Sequence, residues 1–389
     1  MKILLAHNYY QHRGGEDYVF EAEAKLLESK GHQVIQYIVH NDCISNKNVV
    51  KNAVSTIWNP KTFSDIRALI KNENVQIAHF HNTFPLISPS AYYAAQAEEV
   101  PVVQTIHNYR LLCPNALFYR NQRVCESCLG MAFPLPGVLH GCYRNNKAAS
   151  AAVATMLAAH RITNTWKRTV SRYIALTNFA REKLITGGIP EERIVVKPNF
   201  ISPDPGYCDT PENYALFVGR LSHEKGVTTL LDAWQYLGSL IPLKIAGEGS
   251  EDSQVRRAIK NFEGIEWLGH QPKSKIFPLM KKAAFLIFPS VWYEGLPTTV
   301  LESFAVGTPV IASKLGALTS LVVPGKNGFF FEAGNSQSLF EAVKEALMNP
   351  SLLLTMRKTA RLTYEENFTA NKNYALLTEI YENLAAKNK

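Results

Sequence analysis

The sequence has no Asp-x-Asp triplet anywhere in its 389 residues, which removes the closely spaced carboxylate pair that often carries Mg²⁺ onto a phosphate. It has no long apolar run either. One uncharged stretch, Ser127 to Tyr143, is interrupted by Pro134, Pro136 and three glycines, so it cannot cross a bilayer as a helix. Too few apolar residues precede His7 for a secretion signal. Neither a secreted nor an integral-membrane protein is expected. Acidic residues are scarce in one region: between Pro101 and Pro190, eleven basic side chains are matched by only Glu126 and Glu182.

What is present is an ordinary folded balance, 46% apolar and 19% charged, over a length that suggests two domains. The net charge of +8 is uneven. Residues 1–190 hold 20 basic and 12 acidic side chains, whereas 191–389 hold 21 of each. A basic half suits a polyanion, whether nucleic acid, anionic lipid headgroups or a phosphate-bearing substrate, and equally suits plain solubility.

Strand-like apolar runs alternate with helical patterns throughout, which predicts α/β architecture with parallel sheets. In the first half the strands are expected at Ile3–Ala6, Val34–Val39, Val75–Phe80, Val102–Ile106, Tyr173–Leu176 and Ile194–Lys197, with a helix over Asp17–Ser29 stopped by Gly31. Pro198 to Asn213 has four prolines and no period, and reads as a linker. A second alternation follows, with strands at Tyr214–Val218, Leu243–Ala246, Ile265–Leu268, Phe285–Phe288, Val310–Ala312 and Phe329–Phe331. Helices fit Val227–Leu237, Ser253–Lys260, Thr299–Ala305 and Ser336–Met348. Ligands of open α/β sheets sit outside the strand C-terminal ends, so the loops there are the place to look.

Two such loops carry chemistry. Gly219-Arg220-Leu221-Ser222-His223-Glu224-Lys225-Gly226 follows a strand and precedes a helix, which makes an anion site from two cations and free N–H groups, or else a capped helix with solvated cations. Tyr293-Glu294-Gly295-Leu296-Pro297-Thr298-Thr299-Val300-Leu301-Glu302 enters a second helix. Thr299 and Glu302 have capping-box spacing; the functional alternative has Glu302 gripping a cis-diol. His107 stands at the end of its strand, and His79 and His81 at the end of another.

The two loops together, about seventy residues apart with Glu-x7-Glu in the second, resemble the retaining glycosyltransferases of family 4. The resemblance extends over Gly14-Gly15-Glu16, Thr105-Ile106-His107-Asn108, Pro198-Asn199, Gly247-Glu248-Gly249, Leu268-Gly269, Gly307-Thr308-Pro309-Val310 and Gly325-Lys326-Asn327-Gly328. It implies a GT-B fold, two Rossmann-like doubly wound parallel-sheet domains facing a central cleft. The expected division is an acceptor-side domain 1–197 with a Cys-rich insertion 110–145, a linker 198–213, a nucleotide-sugar domain 214–370, and a C-terminal helix 371–389 packing back on the first domain. By matching position, Arg220 and Lys225 neutralise the donor diphosphate, and Glu294 holds donor-sugar hydroxyls with the backbone of Gly295, Leu296, Pro297 and Thr298. Glu302 clamps the ribose, Gly15 approaches the diphosphate, Leu268 lies where the base is read, and His107 touches the donor sugar. His81, Asn108 and Arg110 are acceptor-side candidates, although Asn108 stands where the family often has aspartate. The implied reaction moves a hexosyl group from a UDP- or GDP-sugar, with retention and no catalytic metal, to a glycan or lipid-diphosphate-linked acceptor in exopolysaccharide, capsule or O-antigen synthesis.

Four of the six cysteines, Cys113, Cys125, Cys128 and Cys142, crowd into thirty residues, a pattern that in a cytosolic chain suggests structural zinc before free thiols or disulfides. Cys43 and Cys208 are lone residues. A cytoplasmic enzyme is expected, touching an anionic inner leaflet through its basic half. The Ala-rich stretch Ala148–Ile162 either lies on that surface or forms a core helix. Rival readings are a nucleotide-sugar epimerase or sugar phosphorylase of the same fold, and a zinc-containing nucleic-acid-binding protein. Poor aromatic interleaving and the lack of finger spacing argue against nucleic acid as a partner.

Overall fold

The computed structural model describes residues 1–11, 14–43 and 49–386, the side chains of 43–51 excepted. The chain forms two compact units: Met1–Phe118, Cys125–Asn199 and Asn373–Lys389 in one, Tyr119–Val124 and Phe200–Lys372 in the other. It begins with β1 (Lys2–Tyr9), β2 (Gln33–His40), β3 (Ile77–Asn82) and β4 (Val102–Ile106). A short hairpin of β5 (Tyr119–Arg120) and β6 (Arg123–Val124) comes next, then β7 (Arg172–Ala175) and β8 (Ile194–Val196). The larger strands of this unit pair in parallel in the order β2-β1-β3-β4-β7-β8. Every strand expected here from sequence is found within three residues of its bounds.

The first helix, Gly15–Ser29, begins two residues before the sequence pattern. The Asp17 carboxylate closes its start, Oδ2 accepting from the Gly14 N–H at 2.8 Å. Val19, Phe20, Glu23, Ala24 and Leu27 share one buried stripe, at the three-to-four spacing a helix needs to face a sheet. Phe20, Ala24 and Leu27 of that stripe pack with Ile3, Leu5, Ile77, Val103 and Ile174 of the sheet, and with Leu377, Ile380, Tyr381 and Leu384 of the last helix, Ala370–Ala385. The helix Lys147–Ile162, capped by the Asn146 side chain, buries Val153, Ala154, Met156, Leu157 and Ala158. Its apolar face is in the core, so it is not a surface-lying membrane segment. Among the described residues no helix is long and apolar enough to cross a membrane.

The second unit holds β9 (Ala215–Val218), β10 (Leu243–Ala246), β11 (Ile265–Gly269), β12 (Phe285–Phe288), β13 (Val310–Ser313) and β14 (Gly328–Phe331). They too are parallel, in the order β11-β10-β9-β12-β13-β14, which is the dinucleotide-fold order with its reversal between β9 and β12. Phe217, Ile245, Phe285 and Ile311 from the sheet pack with Leu230, Trp234, Leu339 and Val343 from the helices.

Two close backbone approaches shape the C-terminal edge of this sheet. Gly226, at φ +73°, caps the start of the helix Val227–Leu237, and a Cβ there would lie 1.9 Å from the Pro289 carbonyl oxygen. Gly247, at φ +151°, comes as close to the carbonyl of Gly219. Backbone-to-backbone contact thus presses the loop after β9 against those after β12 and β10. Gly226→Ala should cost at least about 3 kcal/mol in denaturant unfolding, from strain plus a clash with main chain that cannot turn aside. Gly325→Ala, at φ +75° with open space around the new methyl, should cost only about 1–2 kcal/mol. Equal costs would mean that the close approach is not what fixes the loop.

Candidate functional site

In the second unit the strand order reverses between β9 and β12, so the helices after these strands leave on opposite faces and their loops open a crevice. Both chemistry-bearing loops flank it. Lys225 Nζ donates to Glu294 Oε1 at 2.7 Å, joining the two loops directly. The same carboxylate oxygen accepts from Ser290 Oγ at 2.6 Å and Trp292 Nε1 at 2.9 Å. Glu294 is 6% exposed, and these donors are what make an ionised carboxylate tolerable there. The Lys225 ammonium also lies 5.4 Å from the Trp292 ring centre and 5.6 Å from that of Phe288.

Arg220 is the exposed member of the cluster. Its guanidinium donates to Glu224 Oε1 at 2.5 Å and to Ser222 Oγ at 3.3 Å, while its side chain keeps 63% of its surface open to solvent. Burial raises the Glu224 carboxyl, but bonding by Ser222 and its own backbone N–H, and then the charge of Arg220, bring it below its ordinary value. His223 Nδ1 meets the hydroxyl of Tyr119, from the short hairpin, at 2.8 Å.

Glu302 does not close a capping box. The helix Thr298–Ala305 begins one residue earlier than expected, with Pro297 at its cap and no side-chain cap bond. Pro297 has no N–H of its own, so the start of this helix is made without the Thr299–Glu302 pair. The Glu302 carboxylate, 6% exposed, accepts instead from Lys273 Nζ at 2.8 Å. Without a side-chain cap, the first N–H groups of this helix point out of the loop that holds Gly295, Leu296 and Pro297. Leu268 is the penultimate residue of β11, and its carbonyl accepts from Gln271 Nε2 at 2.5 Å. Glu224, Ser290, Trp292 and Lys273 were not singled out from sequence. Ser290 and Trp292 were within reach of it, being polar or aromatic neighbours of Glu294 on the same loop.

In the first unit the reversal lies between β1 and β3. Gly15 is not in a loop but is the first helical residue, and it is exposed. Asn108 Nδ2 donates to Glu16 Oε2 at 3.3 Å and lies 3.4 Å from the Tyr10 hydroxyl. Arg110 bonds the Pro114 carbonyl and stacks over Phe84 and Tyr143, at 4.4 and 5.0 Å. His107 is half-buried, with Nε2 3.0 Å from His81 Nδ1. His81 itself cannot be an acceptor contact. It is 3% exposed and its other nitrogen is held by Glu23 at 3.1 Å, so both of its ring nitrogens are engaged inside the unit. Glu23 and Lys197 were missed as well, although a carboxylate within an apolar helical stripe is a sequence signal for a buried cationic partner.

Glu23, His79 and His81 bring three ligating atoms within 4.8 Å of one another, the one such group among the described residues. It is not a metal centre. Lys197 Nζ already sits 2.9 Å from Glu23 Oε2, and both His79 nitrogens are engaged, by Tyr381 at 2.6 Å and Thr105 at 2.8 Å. The four clustered cysteines are not in that group, although Cys113, Cys142 and Cys125 all act electrostatically on the Cys128 thiol. Cys113 and Cys128 are buried free thiols. Burial, and then the neighbouring thiols Cys113 and Cys142, push Cys128 up to about 11. The side chain of Cys43 lies outside the described residues. The basic surplus is also spent partly inside the unit: Arg161 bonds the Leu111 and Met131 carbonyls, and Arg193 the Val170 carbonyl.

Glu16 has one carboxylate oxygen buried, with no hydrogen-bond partner among the described residues. Burial raises its carboxyl to about 7, opposed by the Tyr10 hydroxyl and reinforced by Asp17. A raised carboxyl stabilises the fold while it is neutral. That contribution is complete below about 4.5 and is lost as pH rises through about 7. Glu16→Gln should therefore raise Tm over the parent protein at pH 8 and barely change it at pH 4. A Tm gain that does not vary with pH would contradict the shift.

The sequence pattern described as Glycosyltransferase Family 4 matches residues 13–205, and that described as Glycosyl transferases group 1 matches residues 206–363. An uncharacterized glycosyltransferase of Methanocaldococcus jannaschii is 25% identical over 395 residues, covering 99% of each chain. The amylovoran biosynthesis glycosyltransferase AmsK of Erwinia amylovora is 25% identical over 228 residues, 54% of this chain and 56% of its own. Among solved structures, HepE of Anabaena in complex with UDP superposes with a TM-score of 0.70 at 18% identity, over 98% of this chain and 100% of that one. Two parallel-sheet α/β units with these strand orders and these two family patterns make the chain a member of the family 4 glycosyltransferases, with the GT-B fold.

Proposed function

We propose that the chain transfers a hexosyl group from a UDP- or GDP-sugar to a glycan or lipid-diphosphate-linked sugar, with retention of anomeric configuration, in the synthesis of a surface polysaccharide. The observation that carries this reading is the Lys225–Glu294 pair at the reversal of the second sheet, with Arg220 exposed on one side and Glu302 on the other. Relatives and neighbours support the substrate class: AmsK by its amylovoran pathway, an O-antigen chain mannosyltransferase of Escherichia coli at 29% identity, and HepE by its complex with UDP.

Breaking an anomeric C–O bond leaves negative charge on the departing diphosphate. Arg220 and Lys225 stand where two fixed cations can take that charge without reorganising, and the uncapped start of Thr298–Ala305 adds oriented N–H groups. Arg220 offers a planar fork for phosphate oxygens, whereas Lys225 offers a point charge. Glu294 holds Lys225 in place and, as an acceptor, suits sugar hydroxyls; Glu302 suits the ribose diol. In the proposed chemistry no metal takes part and no side chain forms a covalent intermediate. A departing phosphate oxygen takes the acceptor proton.

Calorimetric titration with UDP and GDP tests donor binding, and one of them should bind. Arg220→Ala should lower turnover of the matching nucleotide sugar about 100-fold. Stability should change by no more than about 0.5 kcal/mol, since the side chain is mostly exposed. Failure of both nucleotides to bind, or undiminished turnover in the variant, would overturn the assignment.

A further inference from the structure

Behind His107 runs a line of buried polar groups whose proton positions follow from what each can donate or accept. Lys197, just after β8, donates from Nζ to Glu23 Oε2 at 2.9 Å, each side chain being 1% exposed. Glu23 Oε1 lies 3.1 Å from His81 Nε2, and His81 Nδ1 lies 3.0 Å from His107 Nε2. Burial alone would raise the Glu23 carboxyl, but Lys197, then His81 and His79, hold it well below its ordinary value. An ionised carboxylate only accepts, so His81 carries its hydrogen at Nε2. Burial lowers His81 and keeps it neutral, which leaves Nδ1 a bare lone pair. That nitrogen can only accept, so His107 carries its own hydrogen at Nε2. Burial holds His107 well below its ordinary value. Its Nδ1 is therefore unprotonated, and among the described residues nothing donates to it.

The remaining titratable groups packed around this line do not break the sequence of donors. His7 on β1 gives its Nε2 to Asp17 of the first helix at 2.6 Å and stacks on Phe20. His79 on β3 is engaged by Thr105 of β4 and by Tyr381 of the last helix.

We propose that Lys197, Glu23 and His81 are positioning residues that lock His107 in its Nε2–H tautomer, so that the ring presents Nδ1 as an acceptor to a hydroxyl of the transferred sugar. The proposal rests on the reading that the chain binds a nucleotide sugar. A neutral acceptor has a use at that place: it orients a hydroxyl without putting an imidazolium beside a sugar that is itself becoming positive. His107 alone touches the substrate; the other three act through it.

The test is a long-range ¹H–¹⁵N spectrum of the full chain labelled in histidine, with His107 assigned from the spectrum of His107→Gln. At neutral pH the ring should show a protonated Nε2 and a bare Nδ1. The Nδ1 signal should move when UDP-glucose or GDP-mannose is added, whichever binds by calorimetry. Glu23→Gln inverts the line. Lys197 can only donate, so it takes the amide oxygen, and the amide nitrogen then faces His81 Nε2. His81 must accept there, and His107 becomes protonated at Nδ1. That variant strands a buried charge, so the parent spectrum alone suffices to decide the tautomer. A protonated Nδ1, or a doubly protonated ring, overturns the relay. The expected tautomer with no response to a nucleotide sugar that binds overturns the sugar contact while sparing the transferase assignment. Binding of neither nucleotide sugar removes the reading beneath both.

Discussion

The Lys225–Glu294 ion pair is the contact on which the second unit's site depends. A parallel sheet whose strand order reverses must send successive helices to opposite faces, which leaves a crevice at the reversal. Something has to hold the two bordering loops at a fixed separation. Here a 2.7 Å charge-assisted hydrogen bond does so, with the carboxylate almost wholly buried and two further donors on the same oxygen. The backbone contacts at Gly226 and Gly247 bring the loops close, and the ion pair sets how the charged groups face. Removing one partner of such a pair leaves the other as an uncompensated, partly buried charge. Binding and architecture are therefore not separable at this position, whereas at Arg220 they are.

The first unit solves the same topological situation differently. At its reversal, between β1 and β3, it places histidines and a carboxylate in the core and satisfies them with one another. Burying Glu23 and Lys197 is costly unless both are paired and their remaining donors and acceptors used, and every contact around Glu23 serves that end. The consequence is directional: hydrogen positions propagate outward from an internal charge pair to a half-buried ring at a strand end. The last helix takes part through Tyr381, so the C-terminal segment contributes to this core as much as to the termination of the chain.

The central strands were legible in the sequence because they are buried on both faces and read as short apolar runs such as Phe285–Phe288. The two loops were legible because glycine, charge and a helix start coincide there. The polar network was not: Glu23 and Lys197 are 174 residues apart, and no local pattern pairs them. The capping-box spacing of Thr299 and Glu302 misled because the helix starts at Thr298, after a proline, and Lys273 takes the carboxylate that a cap would have used. Ala148–Ile162 was ambiguous for the opposite reason. Alanine-rich helices can pack closely in a core or lie on a surface, and the sequence of one helix does not contain the neighbours that decide. The cysteine spacing likewise said nothing about whether the four sulfurs meet.

The central claim is that these charged loops support glycosyl transfer with retention, by stabilising the leaving diphosphate and without a protein nucleophile. The most direct measurement is real-time proton NMR of the sugar first released when the α-linked nucleotide sugar that the protein binds is hydrolysed by it. Appearance of the α anomer, followed by slow mutarotation to the equilibrium mixture, is the result this account requires. Initial release of the β anomer would mean attack from the opposite face, and would contradict it.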